Sequence, residues 1–170
     1  TDFLRPSPGA ENVLAIRADA HLHDDIPPCG RVMDYQTFGG IYRDVRMRVV
    51  PSCFLDDLFV TTPDSLAPLK KVAAAATLRN AGADWDGAAQ LELLSVDGRR
   101  LAAGPAVACH VPAGGTTRID LSLEGLRGIK LWDLDSPQLY RARVTLSTGR
   151  RAHDSLDTRF GFREATFTKE

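Results

Sequence analysis

Residues 71–80, KVAAAATLRN, decide the fold class, because helical periodicity is almost absent from the rest of the chain. A run of alanines is compatible with a helix, since alanine is the best helix former. The stretch nevertheless stands between strand-like segments and ends in the turn signal Asn80-Ala81-Gly82. We therefore predict a strand with small inward-facing side chains, and with it an all-β chain.

Strand-like runs of alternating or β-branched residues continue on both sides of this stretch. Turn signals separate them at Asp97-Gly98, Ala113-Gly114-Gly115 and Thr148-Gly149. From about residue 50 onward the spacing predicts about seven strands, which is typical of an immunoglobulin-like β-sandwich. The runs are FLDDLFVTT, KVAAAATLRN, AQLELLSVD, PAVACHV, TTRIDLSL, QLYRARVTLS, RAHDSLDTRF and GFREATF.

The amino-terminal part, up to about residue 50, contains only two clear strand-like segments, NVLAIRAD and IYRDVRMRVV, joined by a long loop. Two strands cannot build an independent core. We expect them to be the last strands of a truncated β domain that docks on the sandwich or on a partner chain. Their alternation predicts that these apolar side chains face inward: Leu14, Ile16, Ala18, Ile41, Val45, Met47 and Val49.

Composition and charge exclude several function classes. Hydrophobic residues make up 44% of the chain and charged residues 25%, the balance of a globular protein. The net charge of −1 argues against a nucleic-acid-binding surface. We find no apolar run of transmembrane length and no signal-peptide pattern. The chain opens on Thr1 with sequence typical of a domain interior, so we expect a fragment of a longer protein or a mature product cut from one.

The three cysteines, Cys29, Cys53 and Cys109, match neither a zinc ribbon nor a redox Cys-x-x-Cys pair. A Cys53–Cys109 bridge remains open, but three small buried thiols are the preferred interpretation. The cysteines leave the cellular compartment undecided, with the cytoplasm slightly favoured.

Four segments, in order and at similar spacing, resemble glycoside hydrolase family 2, which contains β-galactosidases, β-glucuronidases and β-mannosidases. They are DFLRPSPGAENVLAIRAD, FGGIYRDV, LWDLDSPQLY and DTRFGFREATF. The resemblance covers nearly the whole chain. It implies that residues 1–48 end a jelly-roll sugar-binding domain and that residues 49–163 form the sandwich. It also implies that residues 164–170 begin the linker to a TIM-barrel catalytic domain that this chain does not contain.

The resemblance also implies chemistry. Family members are retaining glycosidases that use two barrel glutamates, one as acid/base and one as nucleophile. Neither can be assigned in this chain, because its glutamates are scattered over different segments with no motif around them. We therefore expect no catalytic residue here and no activity of the chain alone. The glutamates are Glu11, Glu92, Glu124, Glu164 and Glu170.

Residues 34–45, DYQTFGGIYRDV, combine a glycine pair with several polar and aromatic side chains. Gly39 and Gly40 supply the backbone freedom for a turn or bulge that enters the Ile41–Val49 segment. Arg43 and Asp44 point to opposite faces of a strand, so we expect each to fix a different neighbouring loop.

The functional interpretation of this segment rests on the resemblance. Asp34 matches an aspartate that, in many family β-galactosidases and β-glucuronidases, contacts a hydroxyl of the sugar in the −1 subsite. In some of these enzymes it acts through a bound alkali-metal ion. A carboxylate suits either a sugar diol or a hard cation such as sodium or magnesium. Tyr35 is a second candidate for substrate contact, although packing of the loop is its preferred role. No cofactor is required otherwise.

Residues 21–29, HLHDDIPPC, place two histidines, two aspartates and Cys29 close together. His-x-His puts both imidazoles on one side of an extended chain, which would suit a metal. No second ligand pair is evident, and mixed polar residues before Pro-Pro are typical of an exposed loop. We favour the loop.

The remaining aromatic residues are interpreted as structural. In LWDLDSPQLY the resemblance implies a sandwich corner, with Trp132 and Tyr140 packed into the domain and Pro137 fixing the turn. In RFGFR, Phe160 and Phe162 are predicted to be buried in the last strand, while Arg163 on the opposite side is available to fix the junction with the barrel. Gly161 lies between them. Trp85 falls at a predicted hairpin tip, either as a surface contact or simply exposed.

These expectations lead to a non-catalytic fragment of a β-galactosidase-like enzyme that acts on terminal β-glycosides. The alternative is a stand-alone carbohydrate-binding or adhesive immunoglobulin-like module, because a sandwich alone does not define a function. The expected partners are a β-glycoside and the TIM-barrel domain, with homo-oligomers left open and nucleic acid and membrane excluded.

Overall fold

The computed structural model describes residues 9–19, 21 and 40–165. The chain divides into two compact units, Thr1–Arg48 and Val49–Glu170. Strands are the only regular secondary structure in the described residues, so the all-β prediction is confirmed. Within the same residues no helix is long and apolar enough to cross a membrane.

Eight strands lie in the described part of the second unit. They are β1 (Cys53–Thr61), β2 (Lys70–Asn80), β3 (Trp85–Ser95), β4 (Arg100–Ala103), β5 (Val107–Val111), β6 (Thr116–Leu126), β7 (Tyr140–Thr148) and β8 (Arg151–Phe160). A three-stranded sheet has the order β1-β2-β6. A five-stranded sheet has the order β4-β3-β7-β8, with β5 paired to β3 beyond the end of β4. All pairs are antiparallel.

The alanine-rich run 71–80 belongs to β2, the middle strand of the three-stranded sheet, as predicted. Its buried side chains recur at every second position, at Val72, Ala74, Ala76 and Leu78. A helix would bury every third or fourth residue instead. The period of two therefore makes this segment a strand despite its alanine content.

The core lies between the inner faces of the two sheets. Large aliphatic side chains from β3 and β7 lie in one continuous cluster with the small ones of β2. Each buried leucine or valine contributes roughly 1.5–3 kcal/mol by leaving water. The fully buried large members are Leu55, Val72, Leu78, Leu91, Leu93, Val111, Val144, Leu146 and Phe162.

The antiparallel registers give the sandwich two distinct ends. The proximal end holds the start of β1, the loops 81–84 and 112–115, and the turn 148–150. The distal end holds the loops 62–69, 96–99 and 127–139 and the segment 161–165 that follows β8. The chain thus joins the sandwich at one end and leaves it at the other.

Asn80 fastens the proximal end. Its buried side-chain amide donates to the carbonyl oxygens of Ala83 at 2.6 Å and Val111 at 3.1 Å. Its side-chain oxygen accepts the Gly82 amide at 2.9 Å, and its backbone amide donates to the Gly115 carbonyl at 2.9 Å. One side chain therefore satisfies the backbone of two neighbouring loops, as a buried polar group must.

The prediction of strands in the amino-terminal segments is wrong for the described residues. Residues 11–19 and 41–50 belong to no sheet. An extended segment becomes a strand only when a neighbour pairs with its backbone groups, and neither segment has such a neighbour among the described residues. The alternating apolar side chains consequently face solvent rather than a core, namely Leu14, Ile16, Ile41, Val45, Met47 and Val49. Ala18, in the same series, is also exposed.

A carboxylate joins the two sheets near the proximal end. The register shifts by one residue at Asp56 in β1 and at His153 in β8, as in β-bulges. Beside these bulges, the half-buried Asp154 accepts the backbone amide of Leu55 across the sandwich at 2.9 Å. The bond ties edge strands of different sheets, which backbone pairing alone does not connect.

We expect Asp154→Ala to lower the free energy of unfolding by about 1–3 kcal/mol, because it removes the acceptor of a fully buried amide. Urea denaturation monitored by circular dichroism measures this change. Asp120→Ala is the matched control, since Asp120 is an exposed carboxylate on β6, and its loss should cost less than about 0.5 kcal/mol. Equal effects of the two variants would refute the structural role of the cross-sheet bond.

Candidate functional site

The predicted sugar-contact residues Asp34 and Tyr35 lie outside the described residues, and so does Gly39. Gly40 is described, and its φ of +91° lies in the left-handed region that favours glycine. Among the described residues no atom stands within 4 Å of the position that a Cβ would occupy at Gly40. Backbone conformation, and not crowding, therefore requires glycine at residue 40.

Among the described residues the contacts of Arg43 and Asp44 are local, and the prediction that each fixes a different loop stays a prediction. The Arg43 guanidinium lies 5.7 Å from the centre of the Tyr42 ring. Asp44 accepts a hydrogen bond from Arg46 at 3.2 Å. All of these side chains lie on one exposed segment, so each packs against its neighbours in sequence.

The histidine-rich segment is described only at His21. Its Nδ1 lies 2.6 Å from the Asp19 carboxylate, which also accepts the His21 backbone amide at 3.1 Å. Hydrogen bonds from the His21 side chain and then its backbone lower the pKa of Asp19. Residues 9–19, 21 and 40–165 contain no group of three side chains able to hold a metal. His23, Asp24, Asp25 and Cys29 lie outside the described residues.

Three of the described glutamates are bonded in different parts of the fold. Glu92 on β3 pairs with Arg100 at 3.2 Å, and Glu124 on β6 pairs with Lys71 at 2.5 Å. Glu164 follows β8 and accepts the Leu66 amide at 3.4 Å. These bonds fall on the outer faces and the distal end of the sandwich, so the three do not form an acid/base pair.

The distal end contains a cluster of aromatic rings. Tyr140 begins β7 and packs edge-on against the fully buried Phe162, with ring centres 5.5 Å apart. Phe160, the last residue of β8, lies 5.3 Å from Phe162 and 6.4 Å from Tyr140. The Tyr140 hydroxyl accepts the Lys130 amide at 2.9 Å and so holds the 127–139 loop against the cluster.

Trp132 closes this cluster from the outside and is half-buried. Its backbone amide donates to the Phe162 carbonyl at 2.8 Å. A Cβ added at Gly161 would stand 2.8 Å from the Trp132 Cβ, closer than real Cβ contacts allow. The Arg163 guanidinium lies 5.2 Å from the indole centre, a cation–π distance. Gly161, Phe162 and Arg163 thus contact the Trp132 loop outside any strand, whereas the sequence predicted them within the last strand.

Two loops hold the segment that leaves the sandwich. Trp132 of loop 127–139 binds the backbone of Phe162, and Leu66 of loop 62–69 binds the side chain of Glu164. Each loop also carries internal bonds. Ser65, fully buried, donates to the Thr62 carbonyl at 2.8 Å. In the other loop, the Asp133 amide donates to the Ser136 carbonyl at 3.2 Å, directly before the exposed Pro137.

The same two loops expose large apolar side chains. Leu134 is 85% exposed and Leu66 is 65% exposed, and Leu69 and Leu131 accompany them. We call these four residues the leucine rim. Isolated exposed leucines are common, whereas these four lie on the two loops that bind the departing segment. Sequence periodicity does not detect them, because they lie in loops rather than on one face of a strand.

Trp85 is not at an exposed hairpin tip. It is the first residue of β3, on the inner face at the proximal end, and it stacks on His153 with ring centres 5.2 Å apart. Its indole lies over Gly87, where a Cβ would stand 2.3 Å from the ring. The glycine therefore provides the space in which the tryptophan covers the open end of the core.

The cysteines of the described residues are free, so no Cys53–Cys109 bridge is formed. Cys53 is fully buried, and desolvation raises its pKa to about 11. Desolvation also raises the pKa of the half-buried Cys109. Both shifts of pKa favour the protonated thiol, in agreement with a packing role.

The sequence profile of the family described as glycosyl hydrolases family 2 matches residues 53–163. The match begins at the first residue of β1 and ends at Arg163, whose guanidinium lies over Trp132. The chain belongs to glycoside hydrolase family 2. In this family-2 chain, the matched region therefore covers all eight strands and the departing segment that the two distal loops hold.

Curated relatives and solved structures agree with the family assignment. A β-galactosidase of Rhizobium meliloti is 35% identical over 142 residues, which cover 82% of this chain and 18% of the relative. A β-galactosidase of Thermoanaerobacterium thermosulfurigenes is 29% identical, with 92% of this chain and 22% of the relative covered. The chain thus spans about a fifth of the length of these relatives.

Among solved structures, that of Bacteroides uniformis β-glucuronidase 2 covalently bound to cyclophellitol-6-carboxylate aziridine superposes with a TM-score of 0.75. The identity is 25%, and the alignment covers 86% of this chain and 18% of that one. The sequence match and the structural superposition therefore agree on a family-2 sandwich.

We expect Gly161→Ala to destabilise this family-2 sandwich by about 1–3 kcal/mol, since the added methyl group must displace the Trp132 backbone rather than a flexible side-chain tip. Thermal unfolding followed by tryptophan fluorescence measures the change. Ser155→Ala, at an exposed position of strand β8, which precedes Gly161, is the control and should remain within about 0.5 kcal/mol. Unaltered stability of the Gly161 variant would show that the departing segment is not fixed by this contact.

Proposed function

We propose that the chain is a non-catalytic part of a retaining, β-galactosidase-like glycoside hydrolase that hydrolyses terminal β-glycosides. Its sandwich would position a sugar-binding domain against a catalytic barrel. The observation that carries this role is the fixed segment 161–164, which leaves the distal end between two bonded loops. A spacer between two domains needs a rigid point of departure, because movement there would displace the groups of the active site relative to one another.

The route of the chain through the sandwich supports the spacer role. The chain joins the sandwich at the proximal end and leaves it at the distal end, so the strands separate the two points at which neighbouring domains would be attached. In this proposal residues 1–48 complete the sugar-binding domain, residues 49–163 form the spacer, and residues 164–170 begin the linker.

The leucine rim supports a domain contact at the distal end. Leu66, Leu69, Leu131 and Leu134 lie on the two loops that bind the departing segment, and their exposed apolar surface would be buried against a following domain. The Arg163 guanidinium, held over the Trp132 ring, would add a charge that pairs with carboxylates of that domain.

The galactoside preference rests on the relatives. The Rhizobium meliloti protein at 35% identity is a β-galactosidase, while a putative β-glucuronidase of Formosa agariphila is 29% identical. β-Glucuronidase activity is thus the alternative within the family, and a stand-alone carbohydrate-binding or adhesive module is the alternative outside it.

Asp34 is the residue that we propose to contact the sugar, with Tyr35 beside it. The Asp34 carboxylate would accept hydrogen bonds from a sugar diol, or would ligate a sodium or magnesium ion that binds the same hydroxyls. The barrel supplies the two catalytic carboxylates in this proposal, so the contact would operate only in the full-length enzyme.

The activity is tested with nitrophenyl glycosides. We expect the 170-residue chain to be inactive, and the full-length protein to hydrolyse the β-galactoside with a kcat/KM about tenfold or more above that for the β-glucuronide. The reverse ratio would favour the β-glucuronidase alternative. If the folded full-length protein turned over neither substrate while the chain bound a glycan, that result would contradict the enzyme proposal and would favour the stand-alone binding module.

The sugar contact is tested in the full-length enzyme by Asp34→Ala. Loss of a hydrogen bond that strengthens in the transition state should lower kcat/KM by about 100-fold while leaving the thermal unfolding temperature unchanged. Asp25→Ala, an acid of the predicted exposed loop, is the control and should retain activity. A wild-type kcat/KM for the Asp34 variant would exclude the contact without affecting the spacer proposal.

A further inference from the structure

The outer face of the five-stranded sheet carries an uneven charge distribution. Two cross-strand rows lie side by side on it. One row runs from Arg100 on β4 through Leu94 on β3 and Arg141 on β7 to Arg159 on β8. The other runs from Glu92 on β3 through Arg143 on β7 to Asp157 on β8.

We call the four arginines of these two rows, with Glu92 and Asp157, the arginine face. Four positive and two negative side chains give it a formal net charge of +2. The whole chain has a net charge of −1, so this face differs in sign from the rest of the molecule. Neither row contains an aromatic residue.

The two carboxylates do not neutralise the face. Asp157 contacts Arg141 at 3.3 Å and Arg143 at 3.8 Å, and Glu92 contacts Arg100 at 3.2 Å. Arg159 has no ion-pair partner among the described residues. The residue directly opposite it on β7 is Arg141, which carries the same charge. Like charges opposite one another on neighbouring strands destabilise a sheet.

Part of each of two arginine side chains is buried in a way that lowers the stability of the fold. Nε atoms of Arg141 and Arg143 are buried without a hydrogen-bond partner among the described residues. Leu94, although on the outer face, is only 3% exposed, and its cross-strand neighbours are Arg100 and Arg141. We attribute its burial to the aliphatic stems of these neighbouring arginines. Buried unpaired donors cost free energy that a solvated charged face would not require.

We propose that the arginine face is a docking surface for a protein partner that presents two or more carboxylates. Guanidinium groups held by Asp157 and Glu92 have already lost much of their rotamer freedom, so little further entropy is lost when a partner binds. A planar guanidinium matches a carboxylate with two parallel hydrogen bonds, and arginine is enriched at protein interfaces. The lack of an aromatic platform disfavours a neutral sugar as the ligand.

The probe is a fluorescent peptide of alternating glutamate and serine, with the glutamine version as its neutral counterpart, titrated with the 170-residue chain. We expect binding of the acidic peptide only, weakened by salt as exposed charges require. Arg159→Glu and Arg100→Glu should each weaken it about tenfold. Arg118→Glu is the matched control. Its side chain is 69% exposed against 67% for Arg100, and it pairs with Asp120 at 3.3 Å on β6 of the other sheet.

The control should change affinity by about twofold or less, the long-range effect of a distant charge. Thermal unfolding verifies that each variant is folded. If a glutamate variant does not fold, Arg159→Gln or Arg100→Gln is tested in its place. Equal weakening by Arg118→Glu and Arg159→Glu would overturn the proposal, because binding would then reflect net charge alone. Tighter binding of a sulfated or uronate polysaccharide at the same arginines would also overturn it, in favour of a glycan ligand.

Discussion

The alternation along β2 is the constraint on which the sandwich depends. Its inward side chains are small in the middle, at Ala74 and Ala76, and larger toward the ends, at Val72 and Leu78. Because protein interiors are packed without voids, small residues in one sheet require large ones from the facing sheet. The leucines and valines of β3 and β7 meet that requirement in the same cluster. A one-residue shift of β2 would turn its charged residues inward and lose this match.

The strands after residue 50 could be predicted from sequence because their side chains alternate with a period of two. The position of Trp85 and the bulges could not be predicted, because they depend on contacts between particular residues. The Asp97-Gly98 turn follows directly from residue type, and Gly98 has the expected positive φ of 93°. Trp85 could not be placed, since its burial depends on the space above Gly87 and on the bulged His153 of a distant strand. The bulges themselves leave no periodic signal, because a single inserted residue resembles ordinary irregularity.

The candidate site likewise has features that the sequence predicted and features that depend on tertiary packing. Motif resemblance identified the aromatic residues of the distal end, and the structure adds how they act: Tyr140 and Phe162 anchor the cluster, while Trp132 covers Gly161 from outside. The leucine rim had no sequence signal, since exposure of a loop side chain depends on tertiary packing. For the amino-terminal segments the alternation was present without a neighbouring strand, and a pattern alone does not supply hydrogen-bond partners.

The two ends of the sandwich are held by different chemistry, and this difference bears on its role. At the proximal end the Asn80 amide satisfies backbone groups of surrounding loops through directional bonds. At the distal end edge-on and tilted aromatic rings hold the departing segment through apolar contact, which is less directional than a hydrogen bond. Directional bonds thus fix the loops of the proximal end, whereas apolar contacts fix the segment that leaves the distal end. One end of the sandwich is therefore fastened by bonds within its own loops, whereas the other end binds the departing segment and exposes leucines.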